Sequence, residues 1–469
     1  MRESKRLIQN TGIIAIGNMS TKLVSFFLLP LYTSILSTAE YGIVDYIVSI
    51  STFCVPFISV LMDESMFRFL IDCKTEGERA KIISMSMLII LTGGGIFLIV
   101  AIPILWIIKY YYAVYVVGYV LSAVLSTMMS ALLRGIGKTD YYAVFNFLTS
   151  LLKILLNILF IAVLYWGVQG MLLASILAQI CVSVLYIQRL KLWKYVSFDG
   201  INKQLAKEMI YYSVPLIPNK ISWSIINLSD RIIIMNSLGS DASGLYAVSY
   251  KFPNLMDTVY GFFYQSWKES SARVMGDKSQ NDFYNIIYEY LKDFLYSMVL
   301  VMTAFMPLIF YFMVDKAFYG AILYVPILLL GMYYANISGF YGGIFTAYKD
   351  TKIMGTTTIV SAIINLIVNL ILIHSIGLYA AAISTLAANF LVYIYRKNKV
   401  QKYVELYENR IKQLFSIITT IFVLLFFYAQ EDIFIFINCC ISIVYAVIAN
   451  KKLLDFFLKN IGKRILGKL

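Results

Sequence analysis

The stretch "SVPLIPNKISWSIINLSDRIIIMNSLG", Ser213 to Gly239, is long and apolar enough to cross a bilayer, yet it carries Lys220 and the pair Asp230-Arg231. A lysine at the centre of a membrane helix costs about 2.5–3.5 kcal/mol on insertion scales, so cations placed there need a compensating anion or water. The chemistry they suit is capture of a negatively charged cargo rather than the making or breaking of bonds. On a helix of about 100° per residue, Ser224, Asn227 and Arg231 fall within about 40° of Lys220 and form one polar stripe.

Other apolar segments repeat the pattern. The first carries Asn18 and Lys22 with Ser25 and Thr33; the fifth carries Asn146, Thr149, Lys153 and Asn157. The eighth holds Lys251, Asn254, Thr258 and Gln265, and the eleventh an uncharged version, Thr358, Ser361, Asn365 and Asn369. The second is acidic: Asp45, Ser49, Thr52, Ser59 and Asp63. Lys251 and Asp63 sit near segment ends, where long side chains reach the interface. Lys22, Lys153 and Lys220 lie about 15 Å or more along the helix from the nearer basic flank, too far for a lysine to snorkel. The expected cavity lining is therefore Asn18, Lys22, Asn146, Lys153, Asn157, Lys220, Ser224, Asn227, Arg231 and Lys251. The Asn, Ser and Thr members serve equally well as helix–helix hydrogen bonds. Asp45 lies at the depth of Arg231 and is its expected partner in a gate. Asp230 points about 100° away on the same helix, which disfavours a local pair. Asp63 completes the acidic members of this ion-pair set.

The elements that position these residues follow from composition. The 469 residues are 60% hydrophobic and 14% charged, with a mean hydropathy of +0.77, which identifies an all-α polytopic membrane protein. Fourteen spans are expected, near 10–35, 42–67, 82–108, 111–133, 142–165, 168–188, 208–238, 245–267, 290–314, 320–347, 353–374, 377–395, 413–429 and 432–449. Thirty-two basic residues gather on one set of connectors and termini, against Lys109 and Lys316 on the other. The positive-inside rule puts the basic side and both termini in the cytoplasm. The net charge of +13 then reflects orientation and contact with anionic lipid, not nucleic acid. All eight prolines fall in spans, and Pro30, Pro215 and Pro218 interrupt the first and seventh, a bend that suits alternating access and a static kink alike.

An internal repeat organises the spans. "YTSILSTAEYGIVDY" (Tyr32–Tyr46) matches "IMNSLGSDASGLYAV" (Ile234–Val248) at an offset of 202, with Leu36 on Leu238 and Gly42 on Gly244. A second match, offset 212, sets Thr139 on Thr351, Asn157 on Asn369 and Lys153 on Asn365. An even number of spans separates the copies, so the repeat is parallel. The expected organisation is two pseudo-symmetric six-helix lobes, 1–188 and 208–396, around a central cavity. A cytoplasmic linker spans 189–207, a second 397–412, and two further helices with a basic tail fill 413–469.

Catalysis finds little support. One histidine, His374, and five cysteines without metal or redox spacing leave no metal site, cofactor motif or triad to build. "RGIGKTD" (Arg134–Asp140) has Leu132 where a P-loop needs glycine. A membrane polymerase or ligase would need a large external loop, and the external connectors are short. A purely structural scaffold leaves the lysines unexplained.

The segments "FFLLPLYTSILSTAEYGIVDY", "MDESMFRF" and "SVPLIPNKISWSIINLSDRIIIMNSLGSDASGLYAVSYKFPNLM" resemble Wzx-type oligosaccharide flippases of the multidrug/oligosaccharidyl-lipid/polysaccharide (MOP) superfamily, over about residues 5–396. The resemblance implies movement of undecaprenyl-pyrophosphate-linked oligosaccharide, an O-antigen or capsule repeat unit, to the outer leaflet of the cytoplasmic membrane. It implies no ATPase domain, a coupling ion (proton or sodium) and a polysaccharide polymerase as partner. The alternatives within the superfamily are a lipid II flippase and a drug/cation antiporter; the latter would favour acidic cavity residues.

The charge asymmetry makes a topology prediction. Reporter fusions along the chain should alternate across fourteen spans, with a C-terminal fluorescent-protein fusion bright. An alkaline phosphatase active when fused at Leu469 would overturn the orientation.

Overall fold

The computed structural model describes residues 26–195, 202–276, 279–350, 352–429 and 431–455, with side chains of a few positions between 218 and 227 left aside. Every regular element among the described residues is helical. Eleven helices there are long and apolar enough to cross a membrane, and each coincides with an expected span. Three expected spans are not among the eleven. The span at 10–35 lies mostly outside the described residues, and 208–238 and 245–267 are helical but more polar. Two compact units divide between Gly244 and Leu245.

In the first unit, α1 (Leu29–Ile35) leads into α2 (Thr38–Ser59) and α3 (Met62–Asp72). A capping box starts α2: Ser37 accepts from the Glu40 amide while Glu40 reaches back to the Ser37 amide. The expected span 42–67 does not run through. Val60 and Leu61 adopt φ of 51° and 50°, left-handed values that side chains rarely take. They turn the chain between α2 and α3, so Asp63 leaves the helical register that would align it with Asp45. The break packs tightly against α4 (Glu76–Ile107): a Cβ at Gly93 would sit 2.0 Å from the Ile58 carbonyl oxygen. Helices α5 (Ala113–Gly135), α6 (Thr139–Asn157, continuing as a π-helical turn to Val163) and α7 (Gly167–Arg189) complete the apolar core. There Met62, Met66, Leu132, Phe145 and Tyr186 are fully enclosed.

The expected span 208–238 is likewise two helices. α8 (Lys203–Ser213) ends before Pro215, a 3₁₀ turn covers Val214–Leu216, and α9 (Ile217–Leu238) starts with Pro218 in its first turn. Proline lacks the amide that would continue the helix but fits a helix start, so this pair of prolines ends one helix and begins the next. α9 packs along α2, which is why the compact unit extends past the expected lobe boundary.

The second unit holds α11 (Lys251–Val274), α12 (Gln280–Met313), α13 (Val325–Ala347), α14 (Lys352–Ile376), α15 (Leu378–Val400), α16 (Arg410–Ala429) and α17 (Asp432–Ala449). α11 and α13 approach through glycines. Trp267 stacks on Phe340 with ring centroids 4.2 Å apart, its indole N–H donates to the Phe340 carbonyl at 2.9 Å, and a Cβ at Gly343 would sit 2.3 Å from that nitrogen. The polar stripe of α14 faces protein: Asn365 donates to Ser384 and Thr385 of α15.

Arg396 of α15 is 5% exposed and meets no carboxylate among the described residues. Its guanidinium donates to Thr357 Oγ1 at 2.7 and 2.9 Å, to the Ser338 carbonyl at 3.1 Å and to the Met354 carbonyl at 3.3 Å. One side chain thus ties α13, α14 and α15. Arg396→Met keeps most of the volume but removes every donor. It should cost about 2–3 kcal/mol, the scale of charge-assisted hydrogen bonds, and lower the thermal unfolding midpoint of the detergent-solubilised protein. An unchanged midpoint would show that Arg396 is not a structural tie.

Candidate functional site

The two copies of the 202-offset repeat meet. A Cβ at Gly42 of α2 would lie 2.2 Å from the Ser240 carbonyl oxygen, and one at Gly244 would lie 1.9 Å from the Thr38 carbonyl oxygen. Thr38 and Ser240 are themselves equivalent positions of the repeat, so the contact is reciprocal. Each glycine lies over the backbone of the other copy, an approach that any side chain would block. Thr38 Oγ1 donates to an Asp241 carboxylate oxygen at the edge of this crossing. Gly239, with φ of +87°, ends α9 and turns the chain into α10 (Ser240–Ser249), which presents the second copy.

One turn along α2 from that crossing lies Asp45. Arg231 Nε donates to Asp45 Oδ2 at 2.8 Å, joining α9 to α2. The two side chains are only 10% and 19% exposed, so the charges neutralise each other in a largely dry place. Asp230 is buried too.

The remaining expected residues take varied positions. Lys220 stands in the first turn of α9 and is exposed. Its charge acts on Asp63, whose Oδ1 is enclosed and makes no hydrogen bond among the described residues. Ser224 donates back to the Lys220 carbonyl, within its own helix. Asn146 donates to the Tyr142 carbonyl and lies within 3.4 Å of Ser130 Oγ. Lys153 is half-buried on α6. Asn157 is wholly enclosed and donates to the Tyr32 hydroxyl at 2.9 Å. Lys251 is half-buried at the start of α11 in the second unit. Asn18 and Lys22 lie outside the described residues, as does the Asn227 side chain. No cluster of His, Cys, Asp and Glu suited to a metal ion occurs among the described residues.

Sequence reasoning missed the Thr38–Asp241 bond and the backbone crossing. The signal was present: paired glycines at equal positions of a repeat mark two surfaces able to approach without side chains.

Residues 7–267 match the family described as polysaccharide biosynthesis protein. The chain belongs to this family. No curated protein matches it in sequence. Its fold is shared with solved transporters at low identity. An inward-facing multidrug resistance MATE family transporter of the MOP superfamily is 14% identical, with a TM-score of 0.69 over 83% of this chain and 98% of that one. The lipid II flippase MurJ, in an inward closed conformation, is 14% identical, with a TM-score of 0.68 over 94% and 99%. A Vibrio cholerae MATE transporter is 17% identical, with a TM-score of 0.54 over 85% and 96%. This member of the polysaccharide biosynthesis protein family is thus a multi-pass membrane protein with the MOP superfamily fold. The matched segment spans both copies of the reciprocal motif and both members of the Asp45–Arg231 pair.

Removing one member of an enclosed ion pair strands the other, at a cost of about 3–5 kcal/mol. Asp45→Ala and Arg231→Ala should each impair function in cells, and the swap Asp45→Arg with Arg231→Asp should recover part of it. A double-mutant cycle with coupling near zero would show that the pair does no work together.

Proposed function

We propose that this protein is a flippase that moves undecaprenyl-pyrophosphate-linked oligosaccharide repeat units from the cytoplasmic to the outer leaflet of the cytoplasmic membrane. The observation that carries this reading is the enclosed Asp45–Arg231 pair beside the Gly42–Gly244 crossing, on a helix that also presents Lys220. In this reading the crossing and the pair close the external end, and the cations receive the pyrophosphate. Lys220 and Lys22 supply charge for two phosphates, and the half-buried Lys153 adds to the field that draws an anion inward.

Access alternates as the lobes 1–188 and 208–396 rock. The break at Pro215 and Pro218 lets α9 change its angle without unwinding. Opening the external end requires Arg231 to leave Asp45, and the arriving pyrophosphate offers the arginine a second anion, which lowers the cost of separation. A proton or sodium gradient supplies the remaining drive, and both termini are cytoplasmic. The family supports a role in polysaccharide assembly, and the fold supports transport rather than catalysis.

Lys22→Ala and Lys220→Ala should each abolish surface polymer in a deletion strain while the protein remains in the membrane, and arginine at either position should retain part of the activity. Wild-type polymer from both alanine variants would overturn the cationic-cavity reading.

A further inference from the structure

A cavity in the second unit shares no residue with the site above. It has a volume of about 420 Å³ and lies among α12, α13, α15, α16 and α17. One wall is aromatic: Tyr333, Tyr334, Phe390 and Tyr393 contact one another with ring centroids 4.8–5.2 Å apart along the chain of neighbours from Tyr333 to Phe390 and Tyr393. The other wall holds three lysines.

Two of the three are already neutralised. Lys397 donates to Glu408 at 2.5 Å. Lys412 donates to Glu289 at 2.5 Å and to Asp293 at 3.3 Å. Burial pushes the Glu408 carboxyl up, but hydrogen bonds from Lys397 and Tyr288 outweigh it and hold the group below its usual range, as a charged partner for Lys397. Lys292 is different. It is half-buried on a membrane-spanning helix and forms no hydrogen bond or ion pair among the described residues; its ammonium stands 5.5 Å from the centre of the Tyr288 ring. The acids whose charge reaches it, Glu408 and Asp293, are those held by Lys397 and Lys412. Tyr333 and Tyr334 line the same cavity, and neither hydroxyl makes a hydrogen bond among the described residues, though Tyr333 is only 6% exposed. A lysine without a hydrogen-bonded carboxylate among the described residues and two tyrosines thus line one space of small-ligand size.

We infer that this cavity binds a phosphate ester of net negative charge, with the phosphate on Lys292 and the Tyr333 and Tyr334 hydroxyls, and the organic body against the aromatic wall. The cavity lies at the ends of α15 and α16 joined by the basic connector, at Lys397, Asn398 and Lys412, where the headgroup layer of a bilayer runs. Two sources share this chemistry: an anionic phospholipid headgroup and a soluble phosphate ester.

The test uses the full chain in neutral detergent, titrated with short-chain phosphatidylglycerol, phosphatidylcholine of equal chain length, and glycerol phosphate. Equilibrium binding and the thermal unfolding midpoint are read for each. Phosphatidylglycerol should bind saturably and raise the midpoint. Lys292→Gln should weaken that binding by about tenfold or more, and Lys292→Arg should preserve it. Binding of glycerol phosphate as tight as that of the lipid would assign the site to a soluble ester; binding of the lipid alone would assign it to the headgroup. Equal binding of phosphatidylcholine, or unchanged binding by Lys292→Gln, would overturn the proposal. Should Lys292→Gln fail to fold, the double variant Tyr333→Phe with Tyr334→Phe removes only hydroxyls and should weaken phosphatidylglycerol binding; full-strength binding there would overturn it equally.

Discussion

Two helix backbones can touch only where one of them has no side chain at the point of contact, and the first unit depends on that constraint at Gly42 and Gly244. A Cβ at either would lie within 2.2 Å of a carbonyl oxygen of the other copy, closer than real atoms come. The crossing fixes the distance between the start of α2 and the start of α10. It also fixes the depth at which α9 lies along α2, because Gly239 joins α9 to α10 with no slack. Asp45 and Arg231 can meet at 2.8 Å only with that depth set. The ion pair adds charge specificity to an alignment that the glycines impose.

Cations within apolar helices survive here in three distinct ways. Arg231 is met by a carboxylate, so both charges vanish from the surroundings. Arg396 is met by neutral oxygens of two helices, which suits a guanidinium with several donors and would not suit a lysine with one compact head. Lys292 is met by a cavity. These differ in what they permit. A charge held by fixed neutral acceptors has no reason to move, so Arg396 stiffens the second unit. A charge held by one opposite charge can exchange it for another anion. A charge facing a cavity is already available.

The sequence disclosed the spans well and their breaks unevenly. Runs of apolar residues bounded by basic connectors report bilayer crossing directly, and eleven expected spans coincide with helices. The break at Pro215 and Pro218 was legible because proline has a fixed backbone cost. The break at Val60-Leu61 was not, since neither residue signals a left-handed turn and the tight packing of Gly93 comes from a distant helix. Missing it put Asp63 on the same face as Asp45. Arg396 stands just past the expected span 377–395, where sequence alone gives no sign that its side chain turns inward. The uncharged stripe Thr358, Ser361, Asn365 and Asn369 left cavity lining and helix contact equally open by spacing alone; in the fold these side chains are enclosed. Periodicity gives a face, and only the neighbouring helix says whether that face meets water or protein.

The repeat explains why the glycine crossing is reciprocal, and its imperfection explains why the ion pair is not. At an offset of 202, the position equivalent to Asp45 is Ala247 and the one equivalent to Arg231 is Leu29. A symmetric contact between two copies needs only backbone and small residues, which duplication supplies twice. A charged pair placed once breaks that symmetry at a single point. Backbone packing responds to no ligand, because it offers nothing for an anion to replace. In the proposed function the pair does respond, since an arriving phosphate would compete for Arg231 on equal chemical terms with Asp45. A contact that must both hold shut and yield to cargo therefore needs both parts. The duplicated glycines give it shape, and under the proposed function the unduplicated charges make it answer to the cargo.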